Sequence, residues 1–85
     1  MTVPAHISDA VFGALARQLN LSADDIARRA GDGLDAMGLD SHGLLRVLLE
    51  IERRLGLAAS LDLPDSALEN PATLAAGVAA VVGAA

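Results

Sequence analysis

Apolar residues recur at helical spacing along the chain, in segments that Gly and Pro separate. The first segment predicts a helix from about Ser8 to Leu19, capped by Ser8 or Asp9. Asn20 is its predicted stop. The apolar stripe of this helix, which Phe12 widens, consists of Ile7, Val11, Leu15 and Leu19.

The sequence predicts further helical segments both before and after the middle of the chain. Ser22 caps a short helix with Asp25 at the capping-box position, and Gly31 marks its end. An acidic, Gly-rich loop then runs to Gly38. The remaining predicted elements are one short helical turn at Asp65–Glu69 and a last helix from Thr73 to about Val82. The predicted buried face of that last helix is Leu74, Val78, Val81 and Val82.

The segment from Ser41 to Leu55 has the clearest helical pattern. Asp40 stands at the N-cap position, and Gly56 stands where a left-handed stop is expected. The core stripe is formed by Leu44, Val47, Leu48, Ile51 and Leu55. Because no convincing strand pattern occurs, the sequence predicts an all-α bundle that forms one domain over residues 1–85.

Two leucines of this helix lie outside the centre of its core stripe. Leu45 and Leu49 are four residues apart and share a face, and Ser41 lies four residues before Leu45 on that face. Two interpretations stay open: the leucines widen the buried face, or they form an exposed apolar track that begins at a serine.

Composition narrows the functional classes. The hydrophobic fraction is 53% and the only aromatic residue is Phe12, so the core is aliphatic, and the absence of Cys excludes thiolate chemistry. A net charge of −5 disfavours a nucleic-acid partner. The apolar run Ala72–Ala85 is shorter than the about 20 residues of a membrane span, and no apolar leader opens the chain. We therefore expect a cytoplasmic protein with no nucleic-acid partner and no membrane partner.

Catalytic chemistry has little support in the sequence. Asp40, Ser41 and His42 are neighbours, and successive helical residues point about 100° apart, so they form no catalytic relay. His6 and His42 lack the spacing of metal ligands, so we expect neither an enzyme nor a metal site. Two interpretations of Ser41 stay open: an ordinary capping residue, or a residue whose phosphate ester would meet the N–H groups of the first helical turn.

The run Leu34–Ser41 resembles the signature of acyl and peptidyl carrier proteins. That signature places an apolar residue and an acidic pair before Leu, Gly, any residue and Asp-Ser-Leu. Here Met37 matches the Leu and Gly38 matches the Gly. Asp40 and Ser41 match the Asp-Ser pair, and the apolar positions of the following helix match as well.

This resemblance implies a four-helix carrier-protein bundle with three longer helices and one short helix, with or without a short helical turn in the long first loop. It also implies that a phosphopantetheinyl transferase moves 4'-phosphopantetheine from coenzyme A to the Ser41 hydroxyl. Intermediates are then held as thioesters on that arm, and Asp40 serves as motif residue and helix cap. The carrier catalyses nothing itself and acts as a tethered substrate for partner enzymes.

Several residues depart from the family pattern. His42 stands where the family usually has Leu, and Arg46 stands where fatty-acid carriers usually have Glu. Arg46 and Arg54 are each spaced to pair with Glu50 on an exposed helix. The stretch Leu68–Ala75 looks like the one before the last helix of polyketide and nonribosomal-peptide carriers, with Leu in place of Phe and one inserted Ala. The predicted partner-docking residues are His42, Leu45, Arg46 and Leu49.

We therefore expect a discrete, monomeric carrier of polyketide or nonribosomal-peptide type specialised metabolism. Its expected partners are a phosphopantetheinyl transferase, a loading enzyme (an adenylating enzyme or an acyltransferase) and downstream synthase or tailoring enzymes. The alternative is an unmodified helical scaffold module derived from a carrier, which the unusual His42 motivates.

Overall fold

The structure, a computed structural model, describes residues 3–58 and 60–83. Within these ranges all regular structure is helical. The elements are α1 (Ala5–Leu19), α2 (Ala23–Arg28), α3 (Ser41–Leu55), a 3-10 helix (Asp65–Leu68) and α4 (Pro71–Gly83). The predicted all-α bundle of three longer helices and one short helix is confirmed, and the one-domain boundary at residues 1–85 stays a prediction.

Helix α1 begins earlier than the sequence predicts. Its N-cap is Pro4, whose carbonyl accepts hydrogen bonds from the N–H groups of Ile7 and Ser8 at 3.0 and 3.1 Å. Ser8 and Asp9 therefore lie inside the helix, and their prediction as caps was wrong. No side chain caps α1, so the carbonyl of Pro4 alone accepts the first hydrogen bonds of the helix. Asn20, with φ 58°, is the left-handed residue that ends α1, as predicted.

Helix α2 begins as predicted but ends sooner. The Ser22 hydroxyl accepts a hydrogen bond from the Asp25 N–H at 3.1 Å, and the Asp25 carboxylate accepts one from the Ser22 N–H at 3.4 Å. This reciprocal pair is the predicted capping box. The helix ends at Arg28, before the predicted glycine, because Arg29 leaves the helical conformation at φ −111°. Ile26, which is fully buried, anchors α2 to the core.

The hydrophobic core lies around α1, which contacts α2, α3 and α4. The predicted stripe of α1 faces the core, since at most 2% of Ile7, Val11 or Leu15 is exposed and Leu19 is partly buried against it. Helix α3 contributes Val47 and Ile51 to the same core. The other predicted stripe positions of α3, which are partly buried and pack against the core, are Leu44, Leu48 and Leu55.

Two backbone hydrogen bonds join the loop before α3 to the segment at the start of α4. The Leu34 N–H donates to the Glu69 carbonyl at 2.9 Å, and the Ala72 N–H donates to the Ala30 carbonyl at 3.0 Å. These bonds link segments that are far apart in sequence. They hold the entrances of α3 and α4 beside each other.

Helix α4 begins before the predicted Thr73. The Asn70 side-chain oxygen accepts the Thr73 N–H at 2.8 Å, and the Thr73 hydroxyl accepts the Asn70 N–H at 3.0 Å, so Asn70 caps the helix. Leu74 and Val78 are buried as predicted. Val81 is 41% exposed, so its predicted burial was wrong, because burial decreases over the last turn of α4. In the described part of the chain, no helix has both the length and the apolar character needed to cross a membrane.

The two faces of α3 should respond differently to truncation. Replacing the buried Ile51 with Ala should lower the free energy of unfolding by about 2–5 kcal/mol, because it leaves a cavity in the core. Replacing Leu49, which is 54% exposed, with Ala should lower it by less than about 1 kcal/mol. Urea denaturation followed by circular dichroism measures both values. Equal losses would show that the two positions are packed alike.

Candidate functional site

Ser41 is the first residue of α3 and is exposed to solvent. The preceding Asp40 is the N-cap, and its carboxylate accepts a hydrogen bond from the Gly43 N–H at 2.7 Å. This contact turns the Asp40 carboxylate into the first turn of the helix. The neighbouring Ser41 side chain is therefore left at the mouth of α3, as the sequence predicts.

The loop before α3 is anchored in the core on both sides of a tight turn at Gly38. Leu34 and Leu39 are buried, and the Leu39 N–H donates to the Leu34 carbonyl at 3.0 Å. Between them, Gly38 has φ 97°, a left-handed conformation that residues with a Cβ rarely adopt. Met37 is partly buried against the core, so Leu34 and Met37 both anchor the loop. With both ends of the turn anchored, the chain leaves the core directly before Asp40.

The first turn of α3 offers backbone donors next to the serine. The Gly43 N–H is satisfied by Asp40, and the Leu44 N–H donates to the Asp40 carbonyl at 2.9 Å. Among the described residues, none accepts a hydrogen bond from the N–H of Ser41 or His42. These donors and the positive end of the helix dipole favour a negatively charged group at this position.

An open groove of about 460 Å³ lies beside Ser41. Its apolar walls come from Leu34 and Leu39 in the loop, Leu44 in α3 and Leu68 at the end of the 3-10 helix. The acidic residues among those that line the groove are Asp35, Asp40 and Glu69. The groove therefore combines an apolar surface with negative charge.

The predicted docking residues share the outer face of α3. His42 and Arg46 are exposed, and Leu45 and Leu49 are 56% and 54% exposed. The interpretation that these leucines widen the buried face was therefore wrong. What the structure shows is an apolar track that starts beside Ser41 and is open to solvent.

The ion pairs of α3 differ in part from those predicted between residues four apart. Glu50 accepts hydrogen bonds from Arg53 at 2.7 Å and from Arg54 at 2.9 Å. The predicted Glu50–Arg54 pair is confirmed, but the Arg46–Glu50 pair was wrong, because Glu50 is occupied by the two arginines that follow it. The hydrogen bond from Arg54, followed by the charge of Arg53, holds the pKa of the Glu50 carboxyl below its usual range. Nearby Arg17 of α1 acts in the same direction.

Other candidate residues lie apart from this site. His6 is exposed in the first turn of α1. In residues 3–58 and 60–83, His, Asp and Glu side chains form no group of three that could hold a metal ion.

Comparison with protein families matches residues 9–79 to the phosphopantetheine attachment site family. The chain belongs to the phosphopantetheine attachment site family. Members of this family carry covalently attached 4'-phosphopantetheine, and the protein is therefore a carrier. Carrier domains of this family are generally non-catalytic tethers, and they interact with phosphopantetheinyl transferases and with the enzymes that use the tethered group. Neither the comparison with curated proteins nor the comparison with solved structures gives a match.

The residues at the start of α3 fit a phosphopantetheine group. The Ser41 side chain is accessible to a transferase, and the N–H groups of Ser41 and His42 can receive a phosphodiester. The apolar walls of the groove lie next to that position. The exposed start of α3 and the groove beside it could therefore hold the group that members of this family carry.

Sequence reasoning missed part of the groove. Leu68 and Glu69 line it from the end of the 3-10 helix, although neither was predicted as a site residue. A signal was present, because Leu68–Ala75 resembles a family stretch that precedes the last helix. That resemblance did not place Leu68 and Glu69 beside Ser41, because their position depends on the hydrogen bond from the Leu34 N–H to the Glu69 carbonyl.

The cap that precedes Ser41 should be measurable in stability. Replacing Asp40 with Ala removes the acceptor of the Gly43 N–H and should lower the free energy of unfolding by about 0.5–2 kcal/mol. Replacing Asp40 with Asn should cost clearly less, because Asn caps helices about as well as Asp. Urea denaturation of the two variants checks this, and equal losses would show that the hydrogen bond to Gly43 contributes nothing.

Proposed function

We propose that Ser41 is the residue to which 4'-phosphopantetheine is attached. The observation that carries this proposal is an exposed serine side chain at the first residue of α3, beside a groove and within the matched residues 9–79. The resemblance of Gly38, Asp40 and Ser41 to the carrier signature supports the same residue.

The surroundings of three other hydroxyl groups differ from those of Ser41. The Ser22 hydroxyl caps α2, and the Thr73 hydroxyl is bonded in the cap of α4. Ser66 is exposed, but it lies in a 3-10 helix of one turn, which lacks the extended dipole of α3. Ser41 combines exposure with the start of a long helix.

Each residue at this site has a defined part in carrying the group. Ser41 provides the acceptor oxygen, and Asp40 fixes the first turn so that this oxygen faces solvent. The N–H groups of Ser41 and His42 orient and stabilise the phosphodiester charge. When attached, 4'-phosphopantetheine supplies a flexible arm ending in a thiol that holds intermediates as thioesters. The tether raises the effective concentration of the cargo at each partner enzyme.

We assign partner docking to the outer face of α3, at His42, Leu45, Arg46 and Leu49. All are exposed and they follow Ser41 along one helix, so a partner that covers them also meets the arm. The proposed partners are the transferase, a loading enzyme that is an adenylating enzyme or an acyltransferase, and downstream synthase or tailoring enzymes.

We place this carrier in polyketide or nonribosomal-peptide type specialised metabolism, as a discrete cytoplasmic monomer. Support comes from Arg46, an exposed cation where fatty-acid carriers usually have Glu, and from the likeness of Leu68–Ala75 to carriers of those pathways. A partner shaped for an acidic helix would meet the wrong charge at Arg46 and bind less tightly.

Mass spectrometry of the intact protein tests the attachment residue. After incubation with coenzyme A, Mg²⁺ and a broad-specificity phosphopantetheinyl transferase, the chain should gain the mass of one phosphopantetheine. The Ser41→Ala variant should gain none, because it lacks the acceptor oxygen. The matched Ser66→Ala variant removes another exposed hydroxyl and should be modified fully.

Two results would contradict this assignment. A mass gain that survives Ser41→Ala would place the arm elsewhere. No gain with several transferases, together with an unmodified chain in the native host, would favour the unmodified scaffold module.

A further inference from the structure

The outer face of α3 joins exposed apolar surface to exposed positive charge. Leu45 and Leu49 are 56% and 54% exposed, Arg46 is exposed, and the Arg53 side chain is 78% exposed. These four residues are called the α3 outer strip below. On a helix they lie within about one third of its circumference, so one partner surface can cover them together.

The carboxylate of Glu50 pairs with Arg53 and Arg54 and not with Arg46. The Glu50 side chain is only 16% exposed and is hydrogen-bonded to Arg53 and Arg54. The Glu52 carboxylate accepts the Leu61 N–H at 2.8 Å, which ties it to the loop after α3. Both acids are thus engaged within the molecule, and Arg46 forms no ion pair in the described residues.

The positive strip contrasts with the charge of the chain as a whole. The net charge is −5, whereas α3 carries more arginines than acids. The residues that line the groove at the start of α3 include Asp35 and Glu69. Because charges are screened beyond about 8 Å at physiological salt, a partner that covers the strip responds to the nearby arginines more than to the net charge.

We propose that the α3 outer strip binds a partner protein through an apolar pocket whose rim carries Asp or Glu side chains. Leu45 and Leu49 enter the pocket, and Arg46, which forms no ion pair among the described residues, faces a carboxylate of the rim. This inference rests on the proposed function, since the partner is an enzyme that acts on the group held at Ser41. The acidic side chains are required only at the rim of the pocket, and the net charge of the partner can have either sign.

The physical basis is complementarity of two kinds. Apolar surface removed from water contributes roughly 25 cal/mol per Å² to association, and two half-exposed leucines on one face provide such surface. Guanidinium groups bind carboxylates through paired, charge-assisted hydrogen bonds. Charges at a rim mainly set the rate and specificity of association, so a basic rim on the partner would be selected against. A second copy of this chain would bring arginines against arginines if strip met strip.

Photo-crosslinking in the native host identifies what covers the strip. A photo-crosslinking phenylalanine analogue in place of Leu49 keeps that position apolar, and the same analogue in place of Val81 is the control, since Val81 is 41% exposed on α4. The Leu49 position should crosslink to a protein that the Val81 position does not reach. The crosslinked segment should be apolar and flanked by Asp or Glu.

Binding measurements with the purified partner then test the charges. Arg46→Glu should raise the Kd about tenfold or more, because it places like charges opposite each other. Changing the facing carboxylate of the partner to Arg should restore binding to Arg46→Glu. Arg28→Glu reverses an exposed charge on α2 and should change the Kd by less than about twofold.

Several results would overturn this inference. They are a crosslinked rim of Lys or Arg, a crosslink to a second copy of this chain, equal or tighter binding of Arg46→Glu, and no crosslink beyond the Val81 control. The mass of the crosslinked carrier is measured in the same samples. A chain without the arm at Ser41 counts against the proposed function, whereas a modified chain with any of those results counts against the strip alone.

Discussion

The hydrogen bond from the Leu34 N–H to the Glu69 carbonyl is the contact on which the geometry of the site depends. It joins the loop before α3 to the segment before α4, and the buried Leu34 side chain holds the same point in the core. Together with the bond from the Ala72 N–H to the Ala30 carbonyl it places Leu68 beside Ser41, whereas the helix start at Ser41 needs neither bond. The groove is therefore a tertiary feature, whereas the exposed serine is a local one.

This division explains what could be predicted from the sequence. The Asp40 cap and the stop at Gly56 depend on contacts within a few residues, and the structure has both. The capping box of Ser22 and Asp25 is local in the same sense. Signals of this kind are readable because the chemistry that ends or starts a helix lies in the residues at its end. The position of Ser41 at the mouth of α3 follows from them.

Predictions were wrong where several nearby groups could make the same contact and the sequence did not show which one would. Glu50 could pair with Arg46, Arg53 or Arg54 by spacing alone, and the structure has the last two. The start of α1 was misplaced because the carbonyl of Pro4 accepts the first hydrogen bonds, and a backbone acceptor leaves no mark in the sequence. Both cases involve small energy differences, since a single exposed ion pair contributes about 1 kcal/mol or less and a helix cap contributes about 0.5–2 kcal/mol.

Helix α3 has one face that the fold buries and another that it leaves open to solvent. Val47 and Ile51 are almost fully buried, so the fold depends on that face. Leu45 and Leu49 lie on the other face, where an apolar side chain adds little to the stability of the isolated chain because water still surrounds half of it. The free energy of burying them becomes available only when another surface covers them. In the docking role proposed for this face, a small apolar contact with charge at its rim would associate quickly and dissociate readily, which suits a carrier that releases each partner in turn.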